Sequence, residues 1–229
     1  MTPLPHDPIE ADFLRELREI EAEAMGWQAL EPGVYLHAGD PQAESITVVG
    51  LPDIALMGQA VLLVGHSFAG PVITGVADRL PERLKQLVYL DALVVQHGQS
   101  ALSLFSPAVQ QERSRTIDAE GLRIAIPAPE KFGVTDPAQQ AWLKRRLTPH
   151  PLKAYTEPLK LQHPLGHGLP KTYIAVNNPP YPPLATLRQM LREDAAWDYR
   201  ELSAGHDAMI TSPEPLAILL EEIARESAR

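Results

Sequence analysis

The sequence predicts an α/β fold, a mostly parallel central sheet with helices on both faces, filling a single domain over 1–229. Three observations predict it. Short apolar runs alternate with segments of helical spacing along most of the 229 residues. The runs are near-continuously apolar, as strands buried on both faces are. And "VLLVGHSFAG", Val61 to Gly70, passes from an apolar run directly into a helix through glycine, histidine and serine.

Taken in order, Asp12 to Met25 reads as an amphipathic helix, with Phe13, Leu17, Ile20 and Ala24 on one face. "GVYLHAG" (Gly33 to Gly39) and "SITVVGLP" (Ser45 to Pro52) are short strands. Ala60 to Val64 is the next. Pro71 to Leu80 follows as a helix, with Val72, Ile73, Val76, Ala77 and Leu80 on one face. Pro71 sits where a first helical turn accepts a missing N–H. "LKQLVYLDA" carries a strand centred on Leu87 to Leu90 and ending in Asp91. Thr172 to Val176 and Trp197 to Leu202 complete the strands. Leu184 to Glu193 and Pro213 to Arg225 are helices. The last carries the stripe Leu216, Leu219, Leu220 and Ile223, and Ser212 or Thr211 can cap it.

Gln96 to Pro170 breaks the alternation. It holds helix-like pieces ("SLFSPAVQQER", "AQQAWLKRRL") and many prolines. It reads as a helical cap inserted between strands, leaving the sheet and returning at "KTYIAV". Pockets of α/β sheets lie where such an insertion would sit, over the carboxyl ends of the strands.

Composition narrows the function. The charge is 20 − 29 = −9, which opposes non-specific binding to nucleic acid or anionic membrane. There is no cysteine, so disulfides, thiolate zinc sites and cysteine nucleophiles are excluded. The first residues lack a basic region followed by an apolar one, and no stretch approaches a membrane span. A soluble, cytoplasmic protein is expected, whose partners are a small molecule and at most further copies of itself. His150, His163 and His167 lack the H-E-x-x-H spacing, so no metal is expected. The glycines around Ser67 make neither G-x-G-x-x-G nor a P-loop, and no cofactor is expected.

The chemistry gathers at the strand–serine–helix turn. A serine hydroxyl is a poor nucleophile and needs a base within hydrogen-bond distance. "SAGHDAM" supplies His206 just after the last strand. Ends of parallel strands share one sheet edge, so Ser67 and His206 can meet. His66, beside the serine, reads as a support residue.

The stretches "VLLVGHSFAGPVITGVADRLPERLKQLVYLDA" and "ELSAGHDAMITSPEPLAILL" resemble α/β-hydrolase-fold proteins, in the branch of methylsalicylate-type esterases, hydroxynitrile lyases and their bacterial relatives. The resemblance covers roughly Ala60 to the C-terminus and implies Ser67 as nucleophile and His206 as base. Three departures stand out. Ala69 replaces the last glycine of G-x-S-x-G, with Gly70 following. The loop "NNPPYPPL" has no carboxylate where relatives usually carry an aspartate. The part before the elbow is shortened, and "YLHAGD" resembles the oxyanion loop with Ala38 where glycine is usual.

The resemblance implies acyl transfer to water. His206 would take the Ser67 proton, and N–H groups of Phe68 and of Ala38 or Gly39 would meet the oxyanion. Phe68, Phe105, Trp142 and Tyr155 are candidate walls for a modest, largely apolar ester. Asp91, ending its strand, is the first candidate to orient His206. Asn177, Asn178 or no third member are the alternatives. Two other functions stay in view. One is a catalytically weak or inactive protein of this fold that binds a small ligand or partner. The other is a hydroxynitrile-lyase-like enzyme, disfavoured because Asp207 stands where a cyanide-holding lysine would follow the histidine.

Overall fold

The computed structural model describes residues 27–31, 34–37, 61–119 and 121–227. The expected helix Asp12 to Met25, the strand Ser45 to Pro52 and the loop residues Ala38 and Gly39 lie outside them. The chain divides into two compact units, 1–59 and 60–229. In the first, β1 (Trp27–Glu31) pairs antiparallel with β2 (Val34–His37), Trp27 opposite His37 and Glu31 opposite Val34. Only Pro32 and Gly33 separate the two strands in sequence.

The second unit is built on four parallel strands in the order β3-β4-β7-β8: β3 (Val61–His66), β4 (Leu84–Leu90), β7 (Lys171–Val176) and β8 (Asp198–Leu202). The two inner strands β4 and β7 are almost wholly buried, which their unbroken apolar runs require. Alternation sorts their side chains between two faces. One face carries Val88, Leu90, Ile174, Val176 and Leu202 onto Leu216 and Ile223 of the C-terminal helix Pro213–Glu226. The other carries Tyr89, whose hydroxyl lies 2.7 Å from Thr74 Oγ1 of helix α1 (Ala69–Arg79). Chain pairing continues past the strand ends: Ser67 N–H donates to Leu90 O, Asp91 N–H to Ile174 O and Asn177 N–H to Leu202 O. Ser67, Asp91 and Asn177 therefore stand in a row on one sheet edge.

Between β4 and β7 the chain leaves the sheet. It forms α2 (Pro107–Ser114), α3 (Pro137–Lys144) and α4 (Leu152–Thr156), with short 3-10 turns over Ala101–Leu104 and Pro129–Phe132. Two-residue strands β5 (Arg123–Ile124) and β6 (His150–Pro151) pair antiparallel. Proline stands in the first turn of α2 and α3, and the Ser106 and Asp136 side chains cap them by accepting from Val109 N–H and Gln139 N–H. The excursion is tied at its base. Gly98 N–H donates to Leu159 O and Leu159 N–H to Gln99 O, both at 2.8 Å. The buried Asp78 of α1 accepts from the N–H groups of Gln162 and His163. A second apolar cluster, with Leu93, Val95, Phe105, Ile124, Tyr155 and Tyr181, fills the space between excursion and sheet edge. α5 (Ala185–Glu193) links β7 to β8, and α6 (Ala208–Thr211) and α7 (Pro213–Glu226) close the chain. Among the described residues no helix is long and apolar enough to cross a membrane.

Candidate active site

Ser67 occupies the turn between β3 and α1 with φ 52°, a left-handed backbone that side chains other than glycine rarely adopt. The turn is tight because α1 doubles back against the chain after β4. At Gly70 an added Cβ would stand 1.9 Å from Leu93 O, so only glycine fits there. Ala69, one residue earlier, takes the place of the usual glycine while the close approach falls on Gly70. The Phe68 N–H lies at the start of α1, where helix N–H groups lack intrahelical partners.

The Ser67 Oγ lies 2.9 Å from His206 Nε2 across 139 positions of sequence, and His206 Nδ1 lies 2.7 Å from Asp91 Oδ2. An ionised carboxylate only accepts, so Nδ1 carries the proton and Nε2 presents its lone pair to the serine hydroxyl. His206 and Asp91 are 1% and 0% exposed. Burial opposes ionisation of Asp91, but hydrogen bonds from His206 and Arg188 outweigh it and hold the carboxyl below its ordinary range.

Arg188 is the residue that sequence reasoning missed. Its Nε–H and Nη2–H donate to the two oxygens of Asp91, each at 2.7 Å, and its Nη1–H donates to Tyr181 O at 3.0 Å. Such a two-point clamp fixes both position and rotation of the carboxylate. The signal was present: Arg188 falls on the apolar stripe of α5 with Leu184 and Leu191, where an arginine is out of place unless paired. The loop "NNPPYPPL" supplies no acid but does supply Tyr181, whose ring stacks on His206 at 4.3 Å between centroids. Asn178 Nδ2–H donates to Ser203 Oγ, and Asn177 is exposed.

His66 Nε2–H donates to the His206 backbone carbonyl at 2.9 Å, with ring centroids 4.7 Å apart. Burial and the neighbouring His206 push the His66 pKa down to about 3, so it works as a neutral donor. Phe132 also stacks on His206 at 5.7 Å and lies 6.0 Å from Tyr181. That contact depends on Gly133 and Gly205, because a Cβ on Gly133 would stand 2.7 Å from Gly205 Cα. Ligand atoms of His66, His206 and Asp207 lie within 4.8 Å of one another. Two of the three are already committed. His66 Nε2 carries a proton toward a carbonyl, and His206 Nε2 faces Ser67. His163 pairs with Asp78 at 3.2 Å and His150 packs on Phe68, so those two histidines serve separate contacts.

Of the expected walls, Phe68, Phe105 and Tyr155 come together. Phe68 lies 4.8 Å from Tyr155, and Tyr155 lies 6.4 Å from Phe105. Trp142 does not join them. It is 39% exposed, under the guanidinium of Arg146, because it falls on the outer side of α3 while Leu143 faces in. A separate cleft of about 360 Å³ opens among Pro71, Val95, Lys153 and Leu159 and does not reach Ser67 or His206.

A strained serine after a parallel strand, a histidine that follows the last strand and a buried carboxylate define a hydrolase-type site on an α/β sheet. The sequence pattern of the Alpha/beta hydrolase family matches residues 7–218, and the chain belongs to that family. It is 35% identical over 167 residues to a carbendazim hydrolyzing esterase of Nocardioides sp. (strain SG-4G), covering 69% of this chain and 68% of that one. Its fold is similar to an extracellular alpha/beta-hydrolase from a Paenibacillus species described as homologous in structure and function to tobacco salicylic acid binding protein 2. The TM-score is 0.63 at 24% identity, over 75% of each chain. A novel pyrethroid hydrolase gives a TM-score of 0.61 at 21% identity, over 77% of this chain and 75% of that one.

Proposed function

We propose that the protein is a serine esterase that cleaves a small, largely apolar carboxylic ester through an acyl-serine intermediate. The observation that carries this reading is the unbroken line Ser67 Oγ, His206 Nε2, His206 Nδ1, Asp91 Oδ2, with separations of 2.9 and 2.7 Å. The esterase and hydrolase names of the relatives support it.

His206 takes the hydroxyl proton as Ser67 Oγ attacks the ester carbonyl. The imidazolium so formed is held by ionised Asp91, whose own position is fixed by Arg188. Negative charge on the carbonyl oxygen meets the Phe68 N–H at the start of α1. His206 then gives its proton to the departing alcohol. In the second half it takes a proton from water, which attacks the acyl carbonyl and frees Ser67. Gln96 to Pro170 serves as the cap, and Phe68, Phe105 and Tyr155 form its side of the pocket.

A panel of short aryl and alkyl esters tests the reading together with a fluorophosphonate probe. Turnover and labelling that both vanish in Ser67→Ala are the expected result. Turnover that survives in Ser67→Ala, or is absent across the panel, overturns it in favour of a binding protein.

A further inference from the structure

A ring of side chains closes through Ser67 and His206. From the serine it runs through Phe68 to Tyr155, at 4.8 Å between rings. It returns through His206 to Tyr181, at 4.3 Å. The two arms meet at Arg113 of α2. Its guanidinium lies 4.9 Å above the Tyr155 ring and 4.4 Å above Phe105, and its Nη2–H donates to the Tyr181 hydroxyl at 3.3 Å. Each arm holds two ring side chains, with centroids 4.8 Å apart on one side and 4.3 Å on the other.

Arg113 is partly buried, and among the described residues no carboxylate stands within ion-pair distance of it. Glu112, beside it in sequence, pairs with Lys131 at 2.5 Å and feels the Arg113 charge only as a minor influence. His150, the other titratable side chain at this end of the ring, has its pKa lowered by burial first, with the Arg113 charge also acting against protonation. The ring thus holds one cation against three aromatic side chains and supplies no counter-charge. A guanidinium stacked on aromatic faces keeps its in-plane N–H donors available; one is used by Tyr181, and those that remain can meet a carboxylate. A partly buried guanidinium with no carboxylate beside it is a ready partner for a ligand anion.

We propose that Arg113 is a specificity residue that reads an anionic group on the substrate, a carboxylate separated from the scissile ester by about one aromatic ring. This deepens the esterase reading and rests on it. The substrate class is then the half-ester of an aromatic dicarboxylic acid, or an ester of similar shape. It lies with its ring between Tyr155 and Tyr181, its ester at Ser67 and its anion at Arg113.

The test compares monomethyl benzene-1,4-dicarboxylate with methyl benzoate, each rate divided by that ester's rate with hydroxide. A charged hydrogen-bonded partner gives the half-ester a kcat/KM advantage of roughly tenfold or more at low salt. At about 1 M salt, where the screening length is about 3 Å, the advantage shrinks. In Arg113→Gln the ratio falls toward one, and Arg113→Lys, which keeps the charge and loses the fork, lies between. Circular dichroism and melting confirm that each variant is folded. A wild-type ratio near one or below, or a ratio that persists in Arg113→Gln, overturns the proposal while leaving ester hydrolysis standing. If neither ester is hydrolysed in a Ser67-dependent way, the esterase reading falls by itself. Calorimetric titration with benzene-1,4-dicarboxylate then decides the anion site: binding lost in Arg113→Gln supports it, and no binding overturns it.

Discussion

Asp91 sits between two cations-in-waiting, one permanent and one transient. Arg188 holds both its oxygens at 2.7 Å, and His206 shares one of them at 2.7 Å. The permanent charge does two things. It keeps Asp91 ionised against the cost of burial, and it competes with His206 for that ionised carboxylate. Removing it without disturbing the fold therefore makes the imidazolium easier to form. In Arg188→Gln the acid limb of the kcat/KM profile moves to higher pH by about one unit, as loss of a unit charge several ångströms away allows. A purely structural role would lower kcat and leave the limb in place. Arg188→Lys, with one charged point instead of a fork, restores the limb more than it restores kcat.

Asp207 is the other buried carboxyl of this region, 8% exposed, and burial raises its pKa from 3.8 to about 6, with the charge of His206 opposing the rise. Its folded-state pKa is raised, so the folded protein holds a proton that the unfolded chain releases between those two values. The penalty is absent below the lower value and complete above the upper one, so stability falls as pH rises through that window. The shift corresponds to about 3 kcal/mol. Asp207→Asn carries no such penalty. Its unfolding free energy relative to the parent improves by about 2–3 kcal/mol between roughly pH 4 and pH 8. Urea melts at both ends of the range measure it. An equal difference at both ends would show that Asp207 is not held in its neutral form.

At the scale of elements, the tight packing of β3, α1 and the chain after β4 sets the serine. Gly70 has Leu93 O at 1.9 Å from where a Cβ would stand, whereas Ala69 already carries a Cβ. Gly70→Ala therefore costs about 3 kcal/mol or more, and Ala69→Gly costs about 1 kcal/mol or less, by denaturant unfolding. The reverse order would remove the close approach as the reason for the shifted glycine. Much of this element was legible in sequence. The apolar run, the serine turn and the helical spacing marked β3 and α1, although the helix begins at Ala69 and so carries Pro71 within its first turn. β4 runs Leu84–Leu90 and contains the expected centre Leu87 to Leu90, with Lys85 its one exposed member. The strand Trp27–Glu31 was not read, and the two-residue strands of the excursion are too short for any period to show. Ser67 and His206 were legible from local context. Arg188 and Tyr181 were not assembled with them, because a contact across 97 positions has no local period. It shows only as a charge on an apolar stripe.

At the scale of the whole molecule, two apolar clusters divide the work. One lies under the sheet, where Ile223, 1% exposed, packs with Val88, Ile174 and Leu216. The other lies above the sheet edge, where Phe105, 5% exposed, packs with Tyr155, Tyr181 and partly buried Phe68. Both are buried, so truncating either should destabilise the fold by a similar amount. Ile223→Ala removes a core aliphatic group and costs about 2–5 kcal/mol, and Phe105→Ala about 3–5 kcal/mol. Their effects on chemistry should diverge. Ile223 belongs to the cluster under the sheet and not to the one that holds Phe68, Tyr155 and Tyr181, and cavities at distant sites act independently. Its variant keeps kcat/KM per folded molecule within about twofold. Phe105 supports the Tyr155 ring and lies under Arg113, so its loss frees both arms of the ring that faces the ester. A misplacement of about 1 Å there costs roughly a hundredfold in rate. The comparison is made well below each variant's melting temperature, with the folded fraction fixed by near-ultraviolet circular dichroism and active sites counted by fluorophosphonate labelling. A silent Phe105→Ala, alongside an Ile223→Ala that loses turnover per labelled site, would mean that the lower cluster positions the site and the upper one only covers it.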